Sequence, residues 1–245
     1  MRLATALVGV VVFGAIAIAA TAAREPAAEP AAAVAARFTA APRAIESVPR
    51  DPAAAAPGVD PERYAPAVAL RHLLVRGLSL PIADAAIPTD PDLLPGAPRD
   101  YRAGVHEGID FPAPSGAPVL AVADGTIVRI DRDFLDWTRE VREMALFESV
   151  TLGYTPTATL DRIRGRQVWI DHGRGVVTRY AHLSEVATFA VGARVERGAI
   201  VGAVGSSGYP EGGPHLHLEV RIDDDYLGDG LAGDALIAAI ARAFG

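Results

Sequence analysis

Six histidines occur in this chain, and four of them sit where imidazole chemistry can be shared. The run His215-Leu216-His217-Leu218-Glu219-Val220 alternates polar and apolar residues. On a strand the side-chain period is two. His215, His217 and Glu219 then share one face, while Leu216, Leu218 and Val220 face the core. Two imidazoles on one face can divide the work, one holding a metal and the other handling protons; the bland alternative is an exposed polar face. A second cluster, His106-Glu107-Gly108-Ile109-Asp110, offers a nitrogen and a carboxylate. Gly108 and Pro112 speak against a helix, so both groups should project from a loop that runs into a strand. Together, His106, Asp110 and His217 make two imidazoles and one carboxylate. That set suits a catalytic zinc whose fourth tetrahedral position is left for water. His182, in Tyr180-Ala181-His182-Leu183-Ser184, ends a strand and taken alone reads as structural, as does His172 in Asp171-His172-Gly173. For His72 a surface position is expected.

These side chains need a rigid scaffold, and residues from 104 onward have the texture of one. Val119 to Ala123, then Asp124-Gly125, then Thr126 to Ile130 read as strand, tight turn, strand. Gln167 to Asp171 and Val176 to His182 read as a second pair around Gly173 and Gly175. Val195 to Val204 is punctuated by glycines, and His215 to Ile222 is a strand. Short strands between glycine turns indicate an antiparallel, mainly β core. Between the two pairs lies a long segment, 131–166. Phe134, Trp137, Val141, Met144, Ala145 and Phe147 recur there at helical spacing, and Leu152 to Arg166 reads as loop. The apolar stripe is expected to pack on the β core or on a short helical pattern within 61–85. Arg139, Glu140, Arg142 and Glu143 would then face solvent. At the C-terminus, Leu236, Ile237, Ile240 and Phe244 mark one face of a short helix.

The rest of the chain is read from composition. All 23 basic residues are Arg, and the formal charge of -7 lacks the basic footprint of a general nucleic-acid binder. No Cys is present, which removes disulfides and thiolate metal ligands. Leu3 to Ala23 carry no charge, close to the roughly 20 residues that span a bilayer. This stretch reads as a signal peptide or a retained single-pass membrane anchor. Either one implies an extracytoplasmic protein of the cell envelope, periplasm or medium. The expected organisation is a signal or anchor at 1–23, an Ala/Pro-rich linker at 24–60 and an N-terminal extension at 61–100. A mainly β domain carrying the histidine clusters follows at 101–223 with its insertion at 131–166, then a helical tail at 224–245.

Residues 104 to 222 resemble the lysostaphin-type (LytM-like) zinc metallopeptidases. The matching pieces are His106-x-Gly-x-Asp110, Ala121-Val-Ala-Asp-Gly125, Tyr180-Ala-His182-Leu-Ser184, Gly192 to Gly208, and Gly213-Pro-His215-Leu-His217-Leu-Glu219. The resemblance implies a compact antiparallel β-sheet or barrel-like core with a helical insertion and flanking short helices. It implies that His106, Asp110 and His217 hold Zn2+, and that His182 and His215 form the catalytic pair. The implied substrate is peptidoglycan, cut at cross-link or stem peptide bonds. Glu107 and Glu219 sit beside ligands and could orient an imidazole or merely be solvated. A segment as long as 131–166 departs from the family pattern. The competing function is a non-catalytic envelope protein of the same fold that binds wall or activates an amidase. Such proteins typically lose metal ligands, and all five expected residues are present here.

Overall fold

The computed structural model describes His72 and residues 75–245. The apolar stretch Leu3–Ala23, the linker at 24–60 and most of the 61–85 helical pattern lie outside the described residues. Within that range His72 is helical, residues 75–80 carry no regular secondary structure and 81–84 form bends and turns. Among the described residues, no helix is long and apolar enough to cross a membrane.

Strand β1 (Pro98–Arg99) and strand β2 (Gly104–Val105) pair across a tight 3-10 turn, Asp100–Arg102. Then come β3 (Ile109–Pro112), β4 (Pro118–Leu120) and β5 (Gly125–Asp131). The insertion supplies two helices, α1 (Arg139–Leu152) and α2 (Thr157–Arg164). The core resumes with β6 (Gln167–Asp171), β7 (Val176–Ala181), β8 (Glu185–Val186), β9 (Arg194–Val195) and β10 (Ile200–Ala203). It closes with β11 (His215–Ile222), β12 (Asp225–Tyr226) and α3 (Gly233–Ala243).

Among the described residues the fold is mainly β and antiparallel, as expected, with α1, α2 and α3 packed around it. Its main sheet runs β12-β11-β7-β6-β5-β9, and β3 pairs with the free half of β11. A three-stranded sheet, β4-β10-β8, lies beside it. Among the described residues no sheet closes into a barrel. Ile109, Phe111, Ile127, Ile170, Tyr180, Leu216 and Leu218 are fully buried in one shared core. The alternation of β11 thus does what its period of two predicts: Leu216, Leu218 and Val220 point inward.

Several expectations are corrected. The strands on either side of Asp124-Gly125 form, but they do not pair with each other: β4 joins β10, and β5 joins β6 and β9. Asp124 does not simply turn the chain, because its carboxylate accepts the Arg197 N–H at 2.7 Å and so ties the crossing to another loop. Residues 157–164, read as loop, form α2. His72 is 2 % exposed rather than on the surface, its ring between the backbone of Gly228 and Asp229. Ile237 is exposed, and the buried face of α3 runs through Leu236, Ala239, Ile240 and Ala243.

The largest correction concerns α1. Thr138 caps its first turn, accepting the Val141 N–H, and Gly153 ends it in the left-handed conformation. Its stripe, however, does not pack inward: Met144 and Phe147 are 64 % and 74 % exposed, and Val141 is exposed too. Arg142 and Ser149 are buried instead. These two are seven apart, on one face, and Arg142 is paired with Glu211. An ion pair to a loop therefore sets the rotation of this helix. Trp137, just before it, is buried as expected.

Candidate metal and catalytic site

Strand register brings the two histidine clusters together. Along β11, His217 lies opposite Asp110 of β3 on one side and Ala181 of β7 on the other. His182 is the next residue after Ala181, so one register places residues from three distant parts of the sequence side by side. His106 precedes β3 in the loop, as Gly108 and Pro112 suggested. Gly108 also permits close packing: a Cβ there would sit 2.6 Å from the Leu218 carbonyl oxygen and 2.8 Å from His217 Cε1.

Three donor atoms converge. His106 Nε2 and His217 Nδ1 are 3.0 Å apart, and Asp110 Oδ1 lies 3.0 Å from the first and 2.8 Å from the second. Each imidazole has its other nitrogen occupied. His106 Nδ1 donates to the Leu94 carbonyl at 3.0 Å, and His217 Nε2 lies 3.3 Å from Glu219 Oε1. These outer contacts select the tautomers that turn His106 Nε2 and His217 Nδ1 toward Asp110. The triangle also fits a metal in size. Tetrahedral zinc with ligand distances of about 2.0–2.1 Å sets its donor atoms about 3.3 Å apart.

The electrostatics are those of a small buried cluster. Burial disfavours charge on Asp110, but the contacts with His106 and His217 outweigh it and hold the carboxylate well below its usual range. Burial likewise opposes protonation of His217, yet Asp110 and Glu219 push it up to about 9. His106 is lowered, chiefly by burial. For Glu219, burial is overcome by Arg164 and His217, and its carboxyl falls far below the ordinary value.

His182 and His215 flank this cluster. Their ring centroids are 4.7 Å apart, and His182 lies 5.7 Å from the His217 ring. His182 Nδ1 donates to the Ser207 carbonyl and His215 Nδ1 to that of Gly213, both at 2.9 Å. His182 therefore keeps an Nε2 lone pair, and His215 Nε2 lies 3.7 Å from Asp110 Oδ1. Burial, followed by the neighbouring imidazoles, pushes His182 down to about 3, so its ring is neutral. His182 also has a left-handed backbone, φ 59°, uncommon for a residue with a Cβ.

All five residues open onto one groove of about 440 Å³. Its walls include residues that sequence reasoning did not single out. Arg99 reaches within 3.7 Å of Asp110 Oδ2, and Tyr101 stacks on Tyr209 with ring centroids 5.4 Å apart. Leu160, Ile163 and Arg164 come from α2. His172 stands apart, bridging the Asp124 carbonyl and Thr178 Oγ1, which is the structural strand-end role expected of it. Of the two flanking carboxylates, Glu219 touches a clustered histidine, whereas Glu107 pairs with Arg164 and Arg221.

Over 119 residues the chain is 38% identical to the DD-carboxypeptidase/endopeptidase Mpg of Neisseria meningitidis serogroup B, covering 49% of this chain and 20% of that protein. Over 125 residues it is 33% identical to the peptidoglycan DD-endopeptidase ShyA of Vibrio cholerae, covering 51% and 22%. The chain therefore spans only about a fifth of the length of these relatives. A solved zinc-containing peptidase from Vibrio cholerae aligns with a TM-score of 0.43 and 24% identity, over 62% of this chain and 39% of that one. The profile described as Peptidase family M23 matches residues 104–228, just over half of the chain and a range that contains the five residues, and the chain belongs to that family.

Proposed function

We propose that this chain is a zinc metalloendopeptidase that hydrolyses peptide bonds in the cross-links or stem peptides of bacterial peptidoglycan. The observation that carries the reading is the donor triangle of His106, Asp110 and His217, with both outer imidazole nitrogens already engaged. Mpg and ShyA, matched over the same region, supply the substrate class. All five residues line one groove of about 440 Å³, which an exposed polar sheet face would not provide.

His106 Nε2, Asp110 Oδ1 and His217 Nδ1 would hold the ion. Zinc in such a site supplies Lewis acidity, polarising a carbonyl and bringing the pKa of a water toward about 7. His182 would accept a proton from water at Nε2, and the Ser207 carbonyl keeps its ring in the required tautomer. His215, whose Nδ1 is held by the Gly213 carbonyl, would hydrogen-bond through Nε2–H to the oxygen on which charge develops. Arg99 and the Tyr101–Tyr209 pair line the groove and would bear on the substrate's flanks. The chain would work outside the cytoplasm, in the cell envelope, with Leu3–Ala23 as signal or anchor ahead of a peptidase domain at 101–223.

The test is metal analysis of the purified chain, followed by digestion of peptidoglycans of several cross-link types with mass spectrometry of the fragments. About one zinc per chain and release of cross-link or stem-peptide fragments is the expected result. A chain that binds wall, or stimulates an amidase, without releasing fragments of its own would replace this reading with the non-catalytic one.

A further inference from the structure

Arg164 ends α2, and only 4 % of its surface is exposed. Burying a guanidinium costs several kcal/mol unless its donors are matched. Its Nε donates to Glu219 Oε1 at 2.6 Å and one terminal nitrogen donates to Glu107 Oε2 at 2.9 Å. The same Glu219 Oε1 lies 3.3 Å from His217 Nε2. Glu219 is itself 1 % exposed and has other cations nearby, but these sit on its second oxygen: Arg179 at 3.1 Å and Arg221 at 3.6 Å. Arg164 alone among these three contacts the oxygen that faces the histidine. Its backbone acts as well, because the Arg164 carbonyl accepts the His182 N–H at 2.8 Å. That bond holds the left-handed residue in place.

We propose that Arg164 is a positioning residue for the site, and that the insertion is thereby part of the peptidase's working apparatus. Its guanidinium fixes Glu219 Oε1 under His217 Nε2, so that the ring presents Nδ1 toward His106 and Asp110. Its carbonyl sets the His182 backbone. The mechanism is geometric. An unrestrained Glu219 can rotate away from His217, and the ring then loses the partner that selects its tautomer. This inference rests on the zinc reading proposed above.

The experiment measures zinc Kd by chelator competition on the full chain, alongside thermal unfolding and kcat and KM. Arg164→Met should raise the zinc Kd by about 10- to 100-fold, and Arg164→Lys, which keeps the charge but not the fork, should recover part of it. Arg129→Gln is the control. Arg129 binds Asp161 of the same helix without touching Glu219, so its zinc Kd should stay within about twofold. Glu219→Gln should mimic Arg164→Met, and the double variant should lose no more than the worse single one, because both act through one contact. If Arg164→Met does not fold, the Lys and Glu219 variants decide. A zinc Kd within about twofold of the parent in the folded Arg164 variants, whatever their melting temperature, overturns the positioning role. So does an Arg129→Gln loss as large as that of Arg164. A parent chain that takes up no zinc fails earlier and overturns the metal reading as well.

Discussion

Replacing Trp137 with Ala should uncouple the insertion from the site loop. Trp137 is 7 % exposed, its Nε1 donates to the Gly208 carbonyl at 2.9 Å, and its ring faces the Arg162 guanidinium at 5.1 Å. Asp136, its neighbour, accepts the Gly208 N–H at 2.6 Å. A buried Trp removes about 200 Å² from water, and at about 25 cal/mol per Å² that is an upper bound near 5 kcal/mol. The hydrogen bond adds about 1 kcal/mol and the cation–π contact about 0.5–1 kcal/mol, while relaxation around the cavity takes some back. The expected loss is about 3–5 kcal/mol, within the range known for Trp→Ala in cores. For a chain of this size it lowers Tm by about 6–20 °C. Trp137→Phe keeps most of the apolar surface but removes the donor, so it should cost about 1–2 kcal/mol. Urea and thermal unfolding of the three proteins measure both. An Ala variant within about 1 kcal/mol of the parent would refute the anchoring role. A Phe variant as damaged as the Ala variant would refute the partition between burial and hydrogen bond.

His182→Ala and His215→Ala should each keep zinc and lose about a hundredfold or more in kcat; zinc-loaded variants active within a few-fold of the parent would remove these residues from the mechanism. Gly108→Ala should weaken zinc binding, because the new Cβ would stand 2.8 Å from His217 Cε1 with the Leu218 carbonyl oxygen behind it. An unchanged zinc Kd would show that the strand can yield without moving the ligand. Tyr180→Phe should cost about 1–3 kcal/mol in urea unfolding. The buried Val122 N–H loses its acceptor at 2.9 Å, and a loss under about 0.5 kcal/mol would mean that it finds another.

What the sequence discloses depends on whether a signal is periodic, local or long-range. The strand His215–Ile222 is legible to the residue because a period of two admits one reading, and its polar face lines the groove. His106 and Asp110 are legible as donors, since their neighbours exclude helix. The approach of His217 to Asp110 is not local: it depends on the register of β3 against β11, more than a hundred residues away. Motif order conveys it only through resemblance. The Asp124-Gly125 turn shows the limit of local chemistry, because a favourable turn dipeptide does not say which strands pair. The Leu94 carbonyl that orients His106 is backbone and has no sequence signature. Helix α2 did leave one: Pro156 before it, Arg162 and Arg164 in its last turn, and Gly165 after it are start and stop signals. Its eight residues carry too few apolar positions to reveal it by period.

The rotation of α1 has the same origin as the burial of Arg164. An apolar stripe turns inward when the surface it meets is apolar, but the insertion meets loops. On one side it meets the 3-10 turn Asp100–Arg102, where Arg102 donates to Thr155 Oγ1 at 3.1 Å and that hydroxyl donates to the Arg102 carbonyl. On the other it meets the Gly208–Gly212 loop, whose amide, carbonyl and Glu211 carboxylate are taken up by Asp136, Trp137 and Arg142. Once covered, such groups need partners, since an unmatched buried donor or acceptor costs about 1–3 kcal/mol. Supplying them requires the polar residues of the segment to point in, and geometry then sends Met144 and Phe147 out. Both loops are walls of the groove over the histidines. A segment that binds them through directional hydrogen bonds and ion pairs fixes the groove's shape more narrowly than apolar packing would, because those contacts tolerate little sliding.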